Sequence, residues 1–135
     1  MAFISVFNVL GPEMIGPSSS HTAGACSIAL LAQQMADSPI TNVEFTLYNS
    51  FAQTYKGHGT DLALLGGVMG FSTDDRRIPN AFSIAKERGI SYKYIEADPD
   101  PDIHPNTVDI HITCSGGRSY TVRGESLGGG KMRIS

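Results

Sequence analysis

The chain has 135 residues, with 10 Lys+Arg against 13 Asp+Glu for a formal net charge of −3. That length holds one domain, here residues 1–135, and the 41% of hydrophobic residues is enough for its core and argues against intrinsic disorder. The first Lys or Arg is Lys56 and no basic block follows, which excludes the phosphate-neutralising patch of a nucleic-acid surface.

Phe3 to Leu10 is apolar but lacks the positive flank of a secretory signal. No apolar run nears the ~20 residues that span a bilayer. The expectation is a soluble cytoplasmic chain that meets neither membrane nor nucleic acid. Cys26 and Cys114, the only cysteines, fall in apolar helical and strand patterns and read as buried thiols.

In chain order, residues 20–36 predict a helix, with Ile28, Leu31, Ala32 and Met35 on one face and Pro39 ending it. Residues 41–48 alternate Val43, Phe45 and Leu47 against Glu44, Thr46 and Tyr48, a half-buried strand. Thr60 opens a short helix that runs to about Met69 and is weakened by Gly66 and Gly67. Ile78, Ala81, Phe82 and Ala85 give a third helical face, with Gly89 at its C-terminus.

Residues 91–96 predict a strand and residues 96–105 a proline-locked loop. Val108, Ile110 and Ile112 then alternate with Asp109, His111 and Thr113. Gly116 and Gly117 turn the chain into a second strand over 118–124, and residues 128–135 begin another. The expected fold class is α/β (α+β): a two-layer sandwich, a mixed sheet with helices packed on it.

Two segments could carry chemistry. The first is Gly11 to Ala25, GPEMIGPSSSHTAGA, where Ser18, Ser19, Ser20, His21 and Thr22 sit at the entrance of the longest helix. The first amides of a helix lack internal partners and lie at the positive end of its dipole, so hydroxyls there either cap the helix or help hold an anion. The second is Lys56 to Asp61, KGHGTD, with His58 between glycines, Thr60 as N-cap of the following helix and Asp61 beside it. Each alone also reads as an ordinary capped helix or loop, but two such entrances could converge on one anionic ligand.

Other patterns carry less. Asp98, Asp100 and Asp102 mimic a calcium loop, but Ile103 stands where glycine is needed and Asp109 where glutamate is. Ser83 and Lys86 match Ser-x-x-Lys without its companion motifs. His104 and His111 read as exposed bystanders.

The run GPSSSHTAGA, the later GHGTD and the terminal SLGGGKMRI, in this order, resemble the iron–sulfur L-serine dehydratases, at their beta chain or the equivalent N-terminal domain of single-chain members. The resemblance implies deamination of L-serine to pyruvate and ammonia with a [4Fe-4S] cluster, whose cysteines lie on a partner alpha chain or domain. Two cysteines here are fewer than the about four thiolates a cluster takes. The family region usually continues past the glycine-rich strand, often into an ACT domain, and the expectation is that this extension is absent here. The fold also resembles the allosteric substrate-binding domain of some phosphoglycerate dehydrogenases.

On that resemblance, His21 is the first choice for proton transfer and His58 the second. Ser18, Ser19, Ser20 and Thr22 would bind the substrate carboxylate. Thr60 and Asp61 would hold the His58 loop or meet the ammonium. An oligomer with the alpha chain is expected, and no metal ligand is assigned to this chain. Two alternatives stay open: a non-catalytic domain that binds serine or another small anion as effector, and an assembly domain whose glycine-rich surfaces only pack against a partner.

Overall fold

The computed structural model describes residues 2–5, 20–57, 59–128 and 131–135. Among the described residues, six strands form one sheet: β1 (Ala2–Ser5), β2 (Ile40–Leu47), β3 (Ser91–Glu96), β4 (Thr107–Cys114), β5 (Ser119–Gly128) and β6 (Lys131–Ile134). Their spatial order is β1-β6-β5-β4-β2-β3, antiparallel except for the parallel pair β2 and β3. A parallel pair needs a long crossover. Here it contains α2 (Asn49–Thr54), α3 (Thr60–Val68), a 3-10 turn (Ile78–Asn80) and α4 (Ala81–Glu87). Among the described residues one more helix, α1 (Ser20–Gln34), packs against β5 and α3. The result is the α+β sandwich with a mixed sheet that the alternation implies.

Strand alternation sorts the two faces. Val43, Phe45 and Leu47 of β2 stand opposite Ile112, Ile110 and Val108 of β4, and all six are buried beneath the helices. Burying each such side chain is worth ~1.5–3 kcal/mol. The other face is polar. There Arg123 forms a two-pronged ion pair with Asp109 at 2.7 and 2.9 Å, and the Tyr48 hydroxyl donates to the same carboxylate at 2.8 Å.

Glycines set how closely α1 approaches its neighbours. A Cβ on Gly67 of α3 would overlap the Cys26 carbonyl oxygen and the Ala29 side chain, and one on Gly124 of β5 would overlap Ile28. Gly66 and Gly67 therefore do more than weaken α3: Gly67 lets α1 lie against it.

Several expectations change. The first helix ends at Gln34, so Met35 lies beyond it and is 50% exposed, and Leu31 is only half-buried. Phe82 is no core residue: it is 38% exposed and stacks on Tyr92 with ring centroids 5.5 Å apart. The short helix α2 and the strand β1 carry too few residues to show a period. Cys26 and Cys114 are both free and buried. Among the described residues no helix is long and apolar enough to cross a membrane.

Candidate functional site

The starts of α1 and α3 meet. Both helices run from a glycine- and hydroxyl-rich segment, and their close packing places Thr22, two residues past the start of α1, against Thr60, the first residue of α3. The two hydroxyl oxygens are 3.4 Å apart, and both residues are only 4% exposed. The positive ends of the two helix dipoles are thus neighbours, and the first turn of α1 contains no acidic residue to offset its field.

Thr60 does not cap α3. The N-cap is Gly59, whose φ of 82° is left-handed and which has no side chain to cap the helix. That shift by one residue is what frees the Thr60 hydroxyl to face α1. Asp61 follows, and its Oδ1 accepts from the Leu62 amide at 2.8 Å. Burial pushes the Asp61 carboxyl pKa up, opposed by backbone hydrogen bonds and by Lys56. Behind it, the Tyr94 hydroxyl donates to the Asp61 carbonyl at 2.5 Å and the Asp61 amide donates to the Tyr55 carbonyl at 3.2 Å. The Tyr94 ring stacks on Phe45 and on Tyr55, at 5.1 and 5.4 Å between centroids, which fixes this support against the core.

His21 is half-buried on the first turn of α1, facing β5. Its Nδ1 is 3.0 Å from the Ser126 Oγ, and its Nε2 is 3.5 Å from the Asn106 amide nitrogen. Ser126 is fully buried, and its backbone amide donates to the Asn106 carbonyl at 2.9 Å. Asn106 ends the proline-locked loop. That loop is pinned by Asn49, whose side chain donates to the carbonyls of Asp100 and Ile103 at 2.8 and 2.9 Å and accepts from the Asp100 amide at 2.9 Å. His104 is not an exposed bystander: it is half-buried, and its Nδ1 accepts from the Asn106 amide at 3.1 Å. His111 hydrogen-bonds Thr121 at 2.7 Å on the open sheet face, away from this site.

The structure thus brings His21, Thr22, Thr60 and Asp61 into one region. Ser18, Ser19 and His58 lie outside the described residues, and Ser20 is described only as the first helical residue. Sequence reasoning missed Asn106 and Ser126. A signal for Ser126 exists: Val122, Gly124 and Ser126 alternate on the core-facing side of β5, and a serine there calls for a polar partner.

This chain's cysteines do not fit an iron–sulfur cluster. The Cys26 thiol donates to the Phe71 carbonyl, burial pushes its pKa to about 12, and Cys114 is buried in β4. Among the described residues no three His, Cys, Asp or Glu side chains gather as a metal site. A hollow of about 500 Å³ lies at the opposite ends of α1 and α3, lined in part by Gln33, Asp37, Met69 and Arg88. Arg88 donates there to the Met69 carbonyl at 3.3 Å, so that helix C-terminus already has its cation.

The family profile described as "Serine dehydratase beta chain" matches residues 5–134. The chain is 48% identical to the L-serine dehydratase beta chain of Peptoniphilus asaccharolyticus over 99% of its own length. It is 45% identical over its whole length to the probable L-serine dehydratase beta chain of Bacillus subtilis. It spans 60% of the length of each of these relatives. Against L-serine dehydratase 1 of Escherichia coli the identity is 30%, over 86% of this chain and 30% of that protein.

Proposed function

Because this chain belongs to the serine dehydratase beta-chain family, we propose that it supplies the substrate-binding and proton-transferring half of an L-serine ammonia-lyase site. In this reading a partner alpha chain or domain carries a [4Fe-4S] cluster and completes the site. The observation that carries the reading is the contact between Thr22 and Thr60, which sets two hydroxyl-rich helix starts side by side with His21 on the same first turn of α1 as Thr22.

The chemistry follows from what such a place can do. Serine presents a carboxylate, an ammonium and a β-hydroxyl. Adjacent helix N-termini suit the carboxylate, each contact contributing ~0.3–1 kcal/mol. Backbone amides and the hydroxyls of Ser18, Ser19 and Ser20 provide the donors. Thr22 and Thr60 hold the two starts at a fixed separation and add their own oxygens. Asp61, half-exposed at the start of α3, meets the ammonium.

His21 takes the Cα proton, with His58 as the second candidate for that role. The electron pair of the broken Cα–H bond forms the Cα–Cβ double bond, and the Cβ–O pair leaves with the hydroxyl. The imidazolium returns its proton to the departing hydroxide, giving water and 2-aminoacrylate. Hydrolysis of that product yields pyruvate and ammonia, so atoms and charge balance. A histidine suits this exchange because its pKa lies near neutrality.

The test is reconstitution with the cluster-bearing chain. Wild type should turn over L-serine, and His21→Ala should lower kcat by at least about a hundredfold. Normal turnover by His21→Ala removes it from the mechanism. Serine binding without any effect of either His21→Ala or His58→Ala on turnover would favour an effector site instead.

A further inference from the structure

We propose that Ser126 is a positioning residue that fixes the His21 ring with its proton on Nδ1, leaving Nε2 as the nitrogen that exchanges protons. The inference rests on the reading above and adds which atom works and what orients it.

Three separated segments meet at this ring: the first turn of α1, the end of the proline-locked loop and the core-facing row of β5. The Asn106 amide nitrogen lies 3.5 Å from Nε2, so Nε2 faces a donor and presents a lone pair. Nδ1 then carries the proton and donates it to the Ser126 Oγ at 3.0 Å. One ring nitrogen's tautomer is set by the hydrogen bond the other makes.

Ser126 can serve this role because its position is determined twice. It is fully buried, and its backbone is tied to Asn106 by a 2.9 Å hydrogen bond, so the two groups flanking the ring are held to each other. Its hydroxyl also lies where a side chain on Gly24 would be, because a Cβ there would overlap the Ser126 Oγ. Gly24 is one turn past His21 on the same face of α1. The missing side chain at Gly24 leaves the space through which the Ser126 hydroxyl reaches the ring, which accounts for both the glycine and the serine. A catalytic histidine held in the wrong tautomer keeps its place but loses its function.

The experiment uses the protein with its partner chain present. Histidine-selective nitrogen-15 NMR should show His21 Nδ1 as the proton-bearing nitrogen and Nε2 as the lone-pair nitrogen. Ser126→Ala should give a mixture of tautomers, lower kcat about tenfold with KM within about twofold, and move the acid limb of the kcat/KM profile against pH. Gly24→Ala, which displaces the hydroxyl without deleting it, should have the same spectral effect. An unchanged His21 tautomer and unchanged kcat in Ser126→Ala overturn this inference and leave the proposed function standing. Normal turnover by His21→Ala overturns the proposed function, and this inference falls with it.

Discussion

The hydroxyls of Thr22 and Thr60 face each other at 3.4 Å in the buried seam where α1 and α3 begin. Thirty-eight residues of sequence separate them, and the contact makes one site of two segments. Thr60→Val keeps the shape of the side chain and removes its hydroxyl. We expect a stability loss of ~0.5–1.5 kcal/mol in urea unfolding, with KM for L-serine rising several-fold in the reconstituted enzyme. A KM at the wild-type value would show that the seam does not shape the substrate site.

Close packing of the two helices depends on Gly67. Gly67→Ala forces its methyl into the Cys26 carbonyl and the Ala29 side chain of α1, with the Leu30 amide nitrogen close behind. It should destabilise the fold by about 1–3 kcal/mol, whereas Ser83→Ala on the exposed face of α4 should stay within about 0.5 kcal/mol of wild type. Equal midpoints for the two variants in denaturant would contradict the packing account.

Some of these elements are legible in the sequence and others are not. Val43, Phe45 and Leu47, and Val108, Ile110 and Ile112, declare their strands because a period of two survives any tertiary context. Phe82 and Met35 fit a helical face yet end up exposed, since periodicity cannot say where a helix stops or what covers its flank. Thr60 reads as an N-cap by type, but the left-handed Gly59 takes that position and turns the hydroxyl to α1. Asn106 stayed hidden because a proline-rich acidic loop looks solvated. The grip of Asn49 on that loop, together with the Ser126 amide on the Asn106 carbonyl, delivers it to His21, and neither contact follows a sequence pattern.

Acid should weaken the open face of the sheet. Burial alone would raise the Asp109 pKa, but hydrogen bonds from Arg123 and Tyr48 outweigh it and leave the carboxyl below its ordinary value. A depressed folded pKa means the pair's contribution is complete above the unfolded value of about 3.9 and is lost as pH falls through the folded one. Asp109→Asn should cost about 1 kcal/mol at pH 7 and flatten the stability profile below about pH 4. An unaltered acid limb in urea titrations would show that the ion pair contributes nothing.

Asp61 has the opposite sign. Its raised folded pKa means that the ionised carboxylate opposes folding at neutral pH and that the penalty disappears below the unfolded value. Asp61→Asn keeps an oxygen for the Leu62 amide and removes the charge. It should leave the melting temperature equal to or above wild type while raising KM for L-serine by about tenfold. A melting temperature well below wild type with normal KM would make Asp61 structural.

The central claim is that the two helix starts form one serine site, and histidine-ring NMR on the protein with its partner chain tests it most directly. The four imidazoles can be followed while L-alanine, which keeps the carboxylate and ammonium of serine but has no β-hydroxyl to lose, is titrated in. The account predicts that the His21 and His58 resonances move together along one binding curve, while His111, bonded to Thr121 on the far face of the sheet, stays still. Binding that moves neither His21 nor His58, or that moves them along separate curves, would contradict it.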